Sequence, residues 1–288
     1  MSFGSAYFTL PKFKYVKPRT VDELLDYLSK YGSNAKIMSG GVGLIAFMKE
    51  RLISPEYIIS LSSIPELKKI KYNEETFEIG ANVHLSELES DLIHKTVPTL
   101  YKAVKNIADP TIRNMGTLVG DLAEAIPWAD AYPALLSLDA SLEIMKKGSS
   151  RKVPVNGFVE GLGQINLKED EFISKIILPI RKMRGTYLKF ANSSEYGLAT
   201  VALTYLYEEE RFNLVLGSIT EKPVVINNAD VGWDFKSDLS KNVEKLNAFI
   251  DSNVNPADDL LSSSKFRKNI IKYLTLRAIK EVFSYERN

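Results

Sequence analysis

Hydrophobic positions along this chain fall into short blocks whose period keeps changing. In "TVDELLDYLSKYG" the residues Val21, Leu24, Leu25 and Leu28 recur at helical spacing. Thr20 stands where a cap belongs, Glu23 follows three residues on, and Gly32 closes the block. Before it, "SAYFTLPKFKYVKP" predicts an extended segment; after it, "AKIM" predicts a short strand that runs directly into "SGGVG". "LIAFMKERL" then predicts a helix limited by Pro55, and "EYIISLSSI" a second strand. Strand, glycine loop, helix and strand in that order make an α/β unit.

From residue 64 the texture changes. "LKKIKYNEETFEIGANVHLSEL" alternates about a polar Asn-Glu-Glu turn, which predicts a hairpin. "PTLYKAVKNIA" predicts a helix, "PALLSLDASLEIMKKG" is an apolar segment, and "DEFISKIILPI" predicts a strand. Residues 186–219 predict strands plus one helical segment, and two helices follow in "LSKNVEKLNAFIDSN" and "KFRKNIIKYLTLRAIKEVF". The expected organisation is a first domain over 1–175, with subdomains of about 1–60 and 61–175, and a second domain over 176–288.

Composition narrows the chemistry. Hydrophobic residues make up 45% and charged residues 25%, which suits packed cores and not disorder. A net charge of +1 gives no electrostatic case for nucleic acid or an acidic membrane surface. No apolar run approaches the ~20 residues of a membrane span, and the first twenty residues lack the apolar core of a secretory leader, so a cytoplasmic protein is expected. There is no cysteine, which excludes disulfides, a thiol nucleophile and a thiolate-held cluster on this chain alone. His84 and His94 are the only histidines, with no H-E-x-x-H pattern and no Ser-His-Asp set. No catalytic residue and no metal site is therefore assigned, and any redox chemistry must come from a cofactor.

Two glycine-bearing stretches offer to hold one. The first is Ser39, Gly40, Gly41, Val42, Gly43, Leu44 and Ile45, between a predicted strand and a predicted helix. Glycines leave backbone N–H groups open to a ligand, and a helix start adds partial positive charge, so the pair forms an anion site suited to phosphate. A plain strand-to-helix turn explains the same residues equally well. The Gly-Lys-Ser/Thr of a P-loop is missing. Gly41, Gly43 and Ala46 meet the spacing of a dinucleotide-binding Rossmann loop, but the acid expected about 20 residues on would fall at Leu61 to Ser63, where there is none.

The second stretch is "TIRNMGTLVGDLAEAIPWAD", which suits neither a helix face nor a strand. Gly116 and Gly120 bracket Thr117, Leu118 and Val119; Asp121 can accept from a ribose or orient a turn; Arg113 and Asn114 can brace the loop or make surface contacts. Asp130 follows Pro-Trp and can cap a helix. Lys189 lies on a predicted strand, where a lysine is usually solvated.

These residues carry a resemblance. "SGGVGLIAFMK" is similar to the A-G-G-T-D-L loop, with a following M-K, of the FAD-binding medium subunits of molybdenum hydroxylases, the carbon monoxide dehydrogenase, aldehyde oxidoreductase and xanthine dehydrogenase group. "IRNMGTLVGDLAEAIPWADAYPALLSLDA" resembles that family's I-R-N-R-G-T-I-G-G-N-L-A stretch and its continuation, and "KFANSSEYGLA" resembles its K-F-A-R-R segment. The resemblance covers nearly the whole chain. It implies an α+β fold, with a vanillyl-alcohol-oxidase (PCMH)-type FAD-binding domain of two α/β subdomains and a C-terminal α+β domain. It implies non-covalent FAD held by Ser39 to Ile45 and Thr117 to Asp121, with Asp130 and Lys189 on the flavin side. Its partners would be a small subunit with two [2Fe–2S] clusters and a large molybdopterin subunit, in a dimer of heterotrimers, with electrons passing from the clusters through this subunit to an external acceptor. An aldehyde is the expected substrate. Val119 replaces a usual glycine, Val42 and Gly43 replace Thr-Asp, and Ser193 and Glu195 stand near a usual arginine and aspartate. A self-contained NAD(P)-dependent dehydrogenase and a flavin-free assembly subunit are the alternatives.

Overall fold

Three short parallel strands open the structure, a computed structural model that describes residues 9–192 and 197–283. They are β1 (Lys14–Val16), β2 (Ala35–Met38) and β3 (Tyr57–Ser60), in the order β1-β3-β2. Ile58 lies opposite Tyr15 on one side, and Ile59 lies opposite Ile37 on the other. The crossovers are α1 (Val21–Tyr31) and α2 (Val42–Lys49). Thr20 caps α1 as its sequence predicts, Oγ1 accepting the Glu23 N–H at 3.1 Å, and Leu24, Leu25 and Leu28 are buried. The second helix begins at Val42, two residues before the predicted start, so Val42 to Ile45 form its first turn and not a loop.

The hairpin expected around Asn73 is present as β4 (Ile70–Tyr72) and β5 (Thr76–Gly80). Five short helices then follow in succession: α3 (Asp91–Thr96), α4 (Pro98–Asn106), α5 (Pro110–Met115), α6 (Leu118–Ala123) and α7 (Ala131–Ser137). The chain returns through β6 (Ser141–Lys146), β7 (Ser149–Pro154), the small pair β8 (Val159–Gly161) and β9 (Gln164–Ile165), and β10 (Phe172–Pro179). These strands complete a five-stranded antiparallel sheet of order β4-β5-β10-β6-β7. Leu24 and Ile59 of the first unit share one apolar core with Phe77, Leu100, Leu118, Leu142 and Ile176 of the second.

The last unit is a four-stranded meander of β11 (Met183–Ala191), β12 (Gly197–Leu206), β13 (Arg211–Gly217) and β14 (Val224–Asn227), followed by α8 (Leu239–Asn253) and α9 (Ser264–Phe283). Its core, built on Leu203, Phe212, Leu214, Trp233, Ile271 and Ile279, is separate from the first. Two expectations need correction here. The helical segment within 186–219 does not form among the described residues: the apolar run "GLATVALTYL" is the central strand β12, buried at every residue because sheet neighbours flank it and helices pack on it. The boundary at 175 falls inside β10, whose residues 175–179 pair with β5, so the change of sheet comes after Pro179.

The two cores are joined by buried polar contacts. Thr99 Oγ1 of α4 and Ser137 Oγ of α7 lie 2.8 and 3.0 Å from Thr204 Oγ1 of β12, and Asn213 Nδ2 donates to the Ser137 carbonyl at 3.1 Å. Among the described residues no helix is long and apolar enough to cross a membrane.

Candidate FAD site

The first glycine loop leaves β2 at Met38 and enters α2 through Gly41, whose φ of 76° is left-handed and favours glycine. Gly41 has no side chain to cap the helix, so the first-turn N–H groups must find acceptors from outside it, one of which is the Glu124 carboxylate at the Gly43 amide. Gly40 has a different reason to be glycine: a Cβ there would overlap the Met115 carbonyl oxygen. The two loops therefore meet backbone to backbone. Ser39 faces the other way, its Oγ 2.7 Å from Asn82 Oδ1 and 3.0 Å from the Ala81 carbonyl. Val42, Leu44, Ile45 and Phe47 stay half-buried on an apolar helix in which only Met48 is fully buried.

The second loop is held from three sides. His84 Nδ1 lies 3.0 Å from the Met115 carbonyl. The Leu85 N–H donates to the Gly116 carbonyl at 2.9 Å. Arg113 is buried and braces the loop as its position suggested: Nε donates to Glu89 at 2.6 Å, and Nη1 donates to the Ile107 and Ala108 carbonyls at 3.0 and 3.1 Å. Asn114 is exposed. Thr117 caps α6, its Oγ1 accepting the Gly120 N–H at 3.1 Å. Gly120 thus spends its N–H inside the loop, which leaves Leu118 and Val119 at the start of the helix. The side chains of Leu118 and Val119 are buried in the first core.

Behind the loops lies an acidic cluster in which Asp130 is buried and Asp121 and Glu124 are half-buried. Asp121 Oδ2 accepts the Ala131 N–H at 3.0 Å and so ties α6 to α7. Burial, then the charges of Asp130 and Glu124, push its carboxyl up to about 7. Asp130 occupies the cap position of α7 without making the cap bond. Its oxygens instead accept from Tyr187 Oη at 2.6 Å and Lys189 Nζ at 2.6 Å. Burial raises the Asp130 carboxyl while Lys189 and Tyr187 pull it down; burial, then Asp130, raise the Tyr187 phenol. Lys189 is not solvated, and it also donates to the Asn106 carbonyl at 3.1 Å.

The structure thus brings Ser39 to Ile45 against the loop that carries Thr117 to Asp121, and joins Asp130 to Lys189. Ser193 and Glu195 lie outside the described residues. Sequence reasoning missed His84, Glu124 and Tyr187. Tyr187 was findable, because it lies two residues before Lys189 on the same face of a strand. A concavity of about 230 Å³ lined in part by Ile144, Arg151 and Glu171 contains none of these residues; its arginine and glutamate satisfy each other at 2.8 Å. No group of three or more metal-binding side chains occurs among the described residues.

Two glycine-bearing loops thus meet backbone to backbone on an α+β chain with its own C-terminal sheet. The chain belongs to the family described as the FAD binding domain in molybdopterin dehydrogenase, whose profile matches residues 11–181. It is an oxidoreductase subunit, the FAD-binding medium subunit of a molybdenum hydroxylase. It is 30% identical over 281 residues to the glyceraldehyde dehydrogenase medium chain of Sulfolobus acidocaldarius, covering 94% of this chain and 99% of that one. It is 37% identical over 171 residues to the carbon monoxide dehydrogenase medium chain of Hydrogenophaga pseudoflava, covering 59% of each. The solved carbon monoxide dehydrogenase of H. pseudoflava superposes with a TM-score of 0.89 at 26% identity, over 96% of this chain and 99% of that one.

Proposed function

We propose that this chain is the electron-transfer subunit of a cytoplasmic heteromeric hydroxylase that oxidises an aldehyde on a large molybdopterin subunit. FAD, when bound non-covalently, supplies a redox centre between the [2Fe–2S] clusters of a small partner and an external acceptor. The observation that carries the reading is the contact of Gly40 with Met115, which sets the start of α2 beside the loop leading into α6. Backbone N–H groups at Gly41, Val42 and Leu44 and at Leu118 and Val119 would hold the diphosphate. Asp121 fixes the turn below them, and the Asp130–Lys189 pair stands on the flavin side. The chain's task is to bind, orient and exclude water, which explains why it needs no thiol and no metal set.

The aldehyde is supported by the likeness to the Sulfolobus acidocaldarius chain, and the two partners and a dimer of heterotrimers by the kinship with medium chains. The NAD(P) alternative is not favoured: Leu61 is buried where the ribose-binding acid would lie, and the glycine loop serves a three-stranded sheet that does not open a Rossmann unit. The flavin-free alternative loses its motive with Val119 buried in the core. The test is direct. The purified chain should carry one releasable FAD per polypeptide, freed by acid precipitation, and show no NAD-dependent turnover; a colourless folded protein that takes up no added FAD contradicts the proposal.

A further inference from the structure

Gly43 and Glu124 compete for one place. A Cβ built on Gly43 would overlap the Glu124 carboxylate. Gly43 is the second residue of α2, and Glu124 is the residue that closes α6. Burial raises the Glu124 carboxyl, and the Gly43 amide is what draws it back down. The carboxylate has thus been carried across from α6 to the start of α2, where the capping position, Gly41, has no side chain to offer. Position 43 is glycine, and an acid from the other loop fills the space a side chain there would take.

We propose that Glu124, by filling the space a side chain at position 43 would take, is a positioning residue of the FAD site. Its carboxylate sets the spacing between the first turn of α2 and the end of α6. The inference rests on the reading that these two loops hold the cofactor's diphosphate. A carboxylate fixed between them pre-organises the cradle, so that less ordering is left to be done on binding. An acid added at 43 while Glu124 remains would overlap it and set two negative charges in contact.

A double-mutant cycle tests this, read as the dissociation constant of FAD from the apoprotein by flavin fluorescence quenching, with the melting temperature of each apoprotein measured alongside. Glu124→Ala and Gly43→Asp should each weaken FAD by roughly tenfold or more, and the double variant should return to within about threefold of the parent. If Gly43→Asp alone does not fold, Glu124→Ala and the double variant carry the comparison. Losses that multiply in the double variant would overturn the role of Glu124 while leaving the loops as the FAD site. FAD affinity unchanged in every variant would overturn both. Coupling seen in melting temperature but absent from FAD affinity would reduce Glu124 to a fold contact and overturn the proposal as well.

Discussion

Lys189 Nζ lies 2.6 Å from Asp130 Oδ2, and neither side chain is more than 5% exposed. The pair crosses from the first strand of the C-terminal sheet to the start of α7, so it joins the two cores at the site itself. A buried pair of this kind contributes little net stability over an apolar substitute, but breaking it on one side strands a charge. Lys189→Met should therefore cost about 3–5 kcal/mol, seen as a lower denaturant midpoint. Asp130→Asn combined with Lys189→Met should recover more than half of that. A double variant as unstable as the single one would show that the loss comes from packing and not from charge.

Asp121 gives the protein a pH dependence of defined sign. Its folded carboxyl titrates at about 7, against about 3.9 when unfolded. The folded chain holds this proton more tightly, so the stability it contributes is complete below about pH 4 and lost as pH rises through about 7. The groups facing it are Asp130, Glu124 and Lys189. Urea unfolding at a series of pH values between 5 and 8 should show stability falling with pH, and Asp121→Asn should flatten that slope. Parallel curves for parent and variant would contradict the assignment.

Gly40 should be far more sensitive than Gly120. A Cβ on Gly40 meets fixed backbone at Met115, whereas a Cβ on Gly120 meets only the Thr117 hydroxyl, at 2.9 Å. Gly120 is inside a helix, where alanine is favoured over glycine by about 1 kcal/mol. Gly40→Ala is expected to destabilise by about 1–3 kcal/mol and to lose FAD during gel filtration. Gly120→Ala should keep its flavin. Equal flavin loss in both would mean that close loop contact is not what Gly40 provides.

How much of this was legible in the sequence depends on how local the cause was. The α1 helix could be read because its cap, its apolar face and its terminating glycine lie within thirteen residues. The hairpin at Asn73 was equally local, with Asn73 Oδ1 accepting the Glu75 and Thr76 N–H groups at 2.8 Å. Strand β12 was ambiguous because an unbroken apolar run fits a buried strand and a buried helix alike, and only its neighbours decide. Both glycine loops were legible as unusual backbone. That Gly40 exists for Met115, and Gly43 for Glu124, was not, because each partner lies more than seventy residues away in the chain.

Arg113 is expected to act on cofactor retention without touching the cofactor. Its three hydrogen bonds pin the chain that leads into the second loop. Arg113→Met should cost about 2–4 kcal/mol by leaving two carbonyls and Glu89 without their donor, and should speed FAD loss in a dilution experiment. An unchanged FAD off-rate in a destabilised variant would separate the brace from the site.

The central claim is that this chain relays electrons and leaves the substrate to its partners. The measurement is reconstitution with a dye acceptor and a panel of aldehydes, assaying first the FAD-loaded chain and then its mixture with the small iron–sulfur and large molybdopterin subunits. The account predicts that the isolated chain is reduced by a strong chemical reductant yet reduces no dye with any aldehyde, and that aldehyde-dependent dye reduction appears only in the three-component mixture. Aldehyde-dependent dye reduction by the isolated, contaminant-free chain would contradict it.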